Sequence, residues 1–284
     1  MLVKTPSFVA LFIKALKRLF ADEAIPLAGN IAFRVIFSVF PFLIFLTSVA
    51  GFFGSEDLAK TVVNFLLDIA PAPLVTPFAA EIRSILTVPR AGLLSIAALL
   101  TIWTAMGGVD SVRVCLNRAY NLKERRPLWL LYLQNVGFVI GATVLMLMVA
   151  LLLVVLPAIA QFFGEHSPAW LQPYTSFEYL RYPFAILLLG VGLITAHKFL
   201  PSTVFRTYEI LPGIVLTVVA WVLLTEGFSW YLRNFNSFAS TYASLSGLFA
   251  TMFFIYLAAL ALIFGGEVNR VFMQMNARKM QPNP

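Results

Sequence analysis

A long stretch of this chain carries no charge: no Asp, Glu, Lys or Arg lies between Pro127 and Gly164. A helix needs roughly 20 apolar residues to cross a bilayer core about 30 Å thick. Strands of a membrane barrel would instead show short segments of alternating polarity. The sequence therefore predicts an all-α polytopic membrane protein with six transmembrane helices, at residues 31–53, 91–109, 129–163, 182–200, 210–232 and 244–266.

Composition excludes a soluble domain. Apolar residues make up 60% of the 284 residues and charged residues only 12%, whereas a soluble domain carries about 45–50% and roughly 25%. Cys115 is the only cysteine, and His166 and His197 are the only histidines. The chain therefore has no CxxC pair, no HExxH motif and no Walker A motif. We expect one membrane domain over residues 1–284, with no cofactor, no metal and no catalytic residues.

The distribution of basic residues predicts the orientation. Fourteen of the 20 Lys and Arg residues lie in the N-terminal region, the second and fourth loops and the C-terminal tail, 267–284. Five lie on the opposite side, and Arg34 lies inside the first predicted span. Because cytoplasmic loops carry an excess of Lys and Arg, both termini are predicted to be cytoplasmic.

Two segments outside the spans show amphipathic patterns. Residues 1–25 predict a helix on the cytoplasmic surface, with its basic residues against anionic headgroups. A short solvated tail that only supplies topological charge is the alternative. Residues 54–90 carry two apolar stripes separated by prolines, which predicts an amphipathic helical hairpin in the first outer loop. In the N-terminal helix one face holds Phe8, Phe12, Leu16 and Leu19, and another holds Lys14, Lys17 and Arg18.

Polar residues inside the membrane are costly and often functional. Asn30, Arg34 and Ser38 follow helical spacing along the first span, and Glu226 lies inside the fifth. These side chains either line a hydrated cavity for a charged headgroup or proton, or they reach the interface and pair with opposite charges. Comparison of depths predicts that Arg34 pairs with Glu267 or Asp110, each of which follows the cytoplasmic end of a span.

Short motifs along five of the spans resemble the YihY/BrkB family of bacterial inner-membrane proteins, formerly labelled ribonuclease BN. The first span contains Ala32-Phe33 and Phe37-Ser38-Val39-Phe40-Pro41, where the family has Ala-Tyr and Ser-Leu-Phe-Pro. Further matches are Trp103, Leu116-Asn117-Arg118, Tyr120, Arg126-Pro127, Phe199-Leu200-Pro201, Leu211-Pro212-Gly213, Trp221, Tyr231, Tyr242, Ser244-Leu245, Ile255-Tyr256 and Gly265-Gly266-Glu267-Val268-Asn269. Departures are Arg34 in place of a common tyrosine, Ala243 in place of glycine and Phe254 in place of tryptophan.

The resemblance implies an inner-membrane location and a role in the cell envelope, with lipid handling as the leading hypothesis. The expected partners are membrane lipids and a periplasm-spanning envelope protein, with no nucleic acid; the oligomeric state stays open. A scaffold that anchors envelope proteins and transports nothing is the alternative. Ribonuclease activity is disfavoured, because the two histidines are predicted on opposite membrane faces and the chain lacks a basic groove for nucleic acid.

Overall fold

In a computed structural model of the protein, the described residues are 8–52, 91–150, 178–234 and 239–280. These residues form helices joined by turns, and no strand occurs among them. The all-α prediction is therefore confirmed over the described chain. The helices are α1 (Phe8–Ala21), α2 (Ala24–Phe52), α3 (Ala91–Tyr120), α4 (Leu128–Ala150), α5 (Glu178–Phe199), α6 (Thr207–Asn234) and α7 (Ala239–Met280).

Five of these helices are long and apolar enough to cross a membrane. The qualifying stretches lie in α2, α3, α4, α6 and α7. The apolar part of α5, Pro183–Phe199, is shorter, so the count of six spans stays a prediction. The predicted outer hairpin at 54–90 and the second half of the predicted third span, beyond residue 150, lie outside the described residues.

Two helices continue well beyond the predicted spans. Helix α3 runs to Tyr120 and α7 to Met280, although the predicted spans end at 109 and 266. The end of α3 follows from Asn121, which has a left-handed backbone with a φ of 57°. There the N–H of Asn121 donates to the Arg118 carbonyl at 2.9 Å, and that of Leu122 to the Asn117 carbonyl at 2.7 Å. These two bonds complete a Schellman motif, which satisfies the last carbonyls of the helix.

The described chain divides into two compact units. The first comprises Met1–Asp22, Leu116–Val219 and Phe264–Pro284, and the second comprises Glu23–Cys115 and Ala220–Ile263. In the first unit α1 packs on the C-terminal part of α7, where Leu11 and Ala15 join Val268 and Val271 in a buried apolar cluster. The N-terminal segment thus forms a helix with one face in the protein core, and its place on the cytoplasmic surface stays a prediction.

Helix pairs within each unit pack through close contacts. In the first unit α4 packs against α5, and Gly192 leaves space for the side chain of Leu145. In the second unit the indole N–H of Trp221 on α6 donates to the Ala258 carbonyl on α7 at 2.9 Å. Small residues such as Gly192 let membrane helices approach each other closely.

Candidate functional site

The first unit contains a buried hydrogen-bond network built from three helices. The Tyr120 hydroxyl, at the end of α3, hydrogen-bonds Nδ1 of His197 on α5 at 2.7 Å. The same hydroxyl accepts a hydrogen bond from Nδ2 of Asn269 on α7 at 3.0 Å. His197 and Asn269 are fully buried. Because buried polar groups are costly unless paired, this network holds the three helices in one arrangement.

Asn269 extends the network to α6. Its Oδ1 accepts the backbone N–H of Gly213 at 2.6 Å, and the Gly213 carbonyl accepts the hydroxyl of the fully buried Thr217 at 2.9 Å. A side chain at Gly213 would overlap the carbonyl oxygen of Gly265 on α7. The two helices therefore touch backbone to backbone, which requires glycine at both positions.

The loop after α3 is attached to the end of α5 by charged and amide side chains. Arg126 and Glu124 form a salt bridge of 2.8 Å, and Arg126 also donates to the Leu200 carbonyl at 2.7 Å. Asn117 accepts the Ser202 N–H at 2.8 Å. The hydrogen bonds from Arg126 lower the pKa of Glu124 to about 2. This carboxylate is therefore ionised throughout the physiological pH range, and it keeps the loop in place.

Glu267 lies in a buried charged cluster of the first unit. It is fully buried, and neither of its oxygens has a hydrogen-bond partner that meets standard geometry among the described residues. Its carboxyl group interacts with Asp22, Arg270 and Arg18. Asp22 accepts a hydrogen bond from Arg270 at 2.9 Å. Glu267 was predicted as a site residue, whereas Asp22 and Arg270 were not, although their opposite charges close to the predicted membrane boundaries offered a signal.

The second unit contains an exposed arginine on α2. Arg34 is exposed, and its Nε donates to Oδ1 of Asn30, one turn earlier, at 3.3 Å. The Nδ2 of Asn30 lies 3.5 Å from the Ser111 hydroxyl on α3. Gly107 on α3 faces the guanidinium group, and a Cβ atom there would lie 2.6 Å from its Nη1. Asn30, Arg34, Gly107 and Ser111 are called the Arg34 site below.

The remaining predicted residues are placed as follows. Asp110 forms an ion pair with Arg113 on its own helix, and Arg34 donates its hydrogen bond to Asn30 on α2. Pairing of Arg34 with Glu267 stays a prediction, because the two residues belong to different units. The Ser38 hydroxyl donates to the Val35 carbonyl on its own helix at 2.7 Å. Glu226 is exposed on α6.

Comparison with known proteins identifies the family. The family model described as Virulence factor BrkB matches residues 15–284 of the chain. The chain belongs to the BrkB family. This confirms the resemblance found in the motifs, and no solved structure matches the chain.

Curated relatives of this BrkB protein are named either as a ribonuclease-like protein or as membrane proteins. The chain is 26% identical to the putative ribonuclease-like protein YfkH of Bacillus subtilis, over 90% of this chain and 91% of that protein. It is 23% identical to a UPF0761 membrane protein of Xanthomonas axonopodis pv. citri, over 94% of this chain and 61% of that protein. The chain thus spans less than two thirds of the Xanthomonas relative's length.

Several of the BrkB motifs converge in the first unit. Tyr120, Gly213 and Asn269 come from three separate motifs, yet hydrogen bonds join them in one network. The motif residues Asn117, Leu200 and Pro201 are buried in the same unit. His197 was not a predicted site residue. Its position two residues before the Phe199-Leu200-Pro201 motif was the available signal.

Proposed function

We propose that this BrkB protein has a non-enzymatic role in lipid handling in the cell envelope. It passes a lipid between leaflets or transfers it to a periplasm-spanning partner. The observation that carries the proposal is the exposed guanidinium group of Arg34 in an apolar helix long enough to span a membrane. An arginine costs about 2.5–3.5 kcal/mol at the centre of a spanning helix and less near the interface, so a bound anion would stabilise Arg34.

The Arg34 site favours a phosphate group as that anion. The hydrogen bond from Arg34 goes to the neutral amide of Asn30, which orients the guanidinium without compensating its charge. Gly107 leaves space beside the guanidinium on α3. A guanidinium group presents paired N–H donors that match phosphate oxygens. Phospholipid headgroups are the abundant source of phosphate at the boundary between membrane and water.

The names of the family and of the UPF0761 relatives support a membrane role. The family description and the UPF0761 relatives name no reaction. Within the described ranges, no three His, Cys, Asp or Glu side chains are grouped as a metal site would require. The family resemblance implies the inner membrane, and the distribution of basic residues predicts that both termini are cytoplasmic. A scaffold for envelope proteins is the competing function, and it requires no lipid movement.

A lipid-scrambling assay in liposomes tests the proposal. The purified protein should move fluorescent phospholipids between leaflets faster than protein-free liposomes do. Arg34→Gln should reduce the rate about tenfold, since a charge-assisted hydrogen bond contributes about 1.5–3 kcal/mol. Arg34→Lys should retain part of the rate. Arg125→Gln, at an exposed loop residue, is the matched control and should change nothing.

The results separate the two functions. Wild-type activity equal to that of empty liposomes would exclude autonomous movement between leaflets and would favour the scaffold or a hand-off that needs its partner. Activity that persists unchanged in Arg34→Gln would show that lipid movement does not use the Arg34 site.

Gly107 provides an independent test of the same site. Gly107→Ala places a methyl group against the Arg34 guanidinium, which can shift because it ends a flexible side chain. We therefore expect the free energy of unfolding to change by only about 0.5 kcal/mol, while the scrambling rate falls. Gly108→Ala is the matched control, because no atom lies within 4 Å of the added methyl group. Equal rates for the two variants would contradict the proposed role of the Arg34 site.

A further inference from the structure

Helix α1 has one face that packs on the protein. Leu11, Ala15 and Leu19 are buried, and they follow one another at intervals of four residues. Leu11 and Ala15 contact the buried cluster around Val268 and Val271 on α7. The aromatic ring of Phe12, at the edge of this face, packs edge to face on Phe264 with ring centroids 5.1 Å apart. This face attaches α1 firmly to the C-terminal part of α7.

A second face of α1 is apolar and exposed. Ile13, Leu16 and Phe20 are 49%, 40% and 62% exposed. Successive helical residues are about 100° apart, so these three side chains lie within one arc that adjoins the buried face. The sequence pattern grouped Leu16 with Leu19, but the structure separates them, because Leu19 is buried and Leu16 is not. In water, an exposed arc of large apolar side chains would be unfavourable.

A third face of α1 is basic. It begins at Lys17, which is exposed, and continues through Lys14 and Arg18. Lys14 and Arg18 both donate to the side chain of Gln274 on α7, at 3.5 and 3.1 Å. The basic side therefore runs from Lys17, next to the exposed apolar arc, through Lys14 to Arg18, which lies beside the buried face. No acidic residue occurs in α1.

We propose that α1 is a docking surface for anionic phospholipids of the leaflet nearest the termini. The exposed apolar arc inserts at the boundary between headgroups and acyl chains, and the basic face binds headgroup phosphates. Apolar and basic arcs side by side are the pattern of helices that lie in the membrane interface. A protein partner would not require this pairing of arcs, so charge complementarity favours the lipid surface. The inference is independent of lipid movement.

Single-cysteine labelling of the full chain in nanodiscs tests the position of the helix. In a Cys115→Ala background, which removes the only native cysteine, spin labels are placed in separate variants at Leu16, Phe20 and Lys17. In discs of phosphatidylcholine with phosphatidylglycerol, labels at Leu16 and Phe20 should be accessible to oxygen and shielded from a water-soluble nickel reagent. The label at Lys17 should show the opposite preference. Labels accessible to nickel at all three positions would overturn the proposal.

Lipid selectivity tests the charge component. Spin-labelled phosphatidylglycerol should associate with the protein more strongly than phosphatidylcholine does. Neutralising Lys14 and Lys17 together should reduce this selectivity, by up to about fivefold per charge at low salt. Lys123→Gln, on the exposed loop after α3, is the control. Unchanged selectivity in the double variant would refute the basic face as a lipid site. Labels at Leu16 and Phe20 shielded from both reagents would show that protein covers the arc, which also refutes it.

Discussion

Gly213→Ala is expected to lower the free energy of unfolding by about 1–3 kcal/mol or more, because the added methyl group cannot be accommodated between α6 and α7. It would overlap the carbonyl oxygen of Gly265 and lie 2.6 Å from Oδ1 of Asn269. The first of these atoms belongs to the backbone and cannot rotate away. The helices would have to separate, which would lengthen the hydrogen bond between Gly213 and Asn269. Unfolding in detergent, followed by circular dichroism, measures the loss.

Gly227→Ala on the same helix is the matched control for this prediction. A methyl group at Gly227 has no atom within 4 Å, and alanine has the higher helix propensity by about 0.8–1.0 kcal/mol. Gly227→Ala should therefore leave stability unchanged or raise it. If both variants lost the same amount, helix propensity or membrane insertion would be the cause, and the close approach of α6 and α7 would not be.

Tyr120→Phe is expected to destabilise the protein by about 1–3 kcal/mol, because it leaves buried partners without a hydrogen bond. Nδ2 of Asn269 would lose its acceptor, and Nδ1 of His197 would lose its contact with the hydroxyl. Both partners are fully buried, so water cannot easily replace the lost group. Tyr132→Phe, at a tyrosine that is 60% exposed, should change stability by less than about 0.5 kcal/mol.

A double-mutant cycle with Asn269→Leu tests whether Tyr120 and Asn269 act as one network. Residues that share a hydrogen bond show coupling of about 0.5–3 kcal/mol. The double variant should therefore lose less stability than the two single variants together. Strictly additive losses would mean that the contact of 3.0 Å between the two side chains contributes nothing measurable.

Several features of this protein could be predicted from the sequence because they depend on local patterns. Apolar runs of spanning length predicted the membrane helices, since backbone hydrogen bonds must be satisfied within a helix in lipid. The amphipathic spacing of the N-terminal segment predicted α1, now described at Phe8–Ala21. Asn121 offered a local signal for the end of α3. The charged residues after position 109 mark the predicted end of the membrane span. The helix itself continues to Tyr120, because a helix can extend beyond the membrane.

The tertiary structure decided which distant polar side chains meet. Tyr120 and Asn269 are 149 residues apart, and Tyr120 and His197 are 77 apart, so no spacing rule could connect them. The hydrogen bond of Arg34, by contrast, forms within one helix. Asn30 lies one turn away on the same helix, and Asp110 pairs with Arg113 three residues later. Neighbours three or four residues apart on a helix face each other in any case. Local sequence patterns thus specify the helices and their apolar faces, whereas side-chain packing between helices selects the buried network.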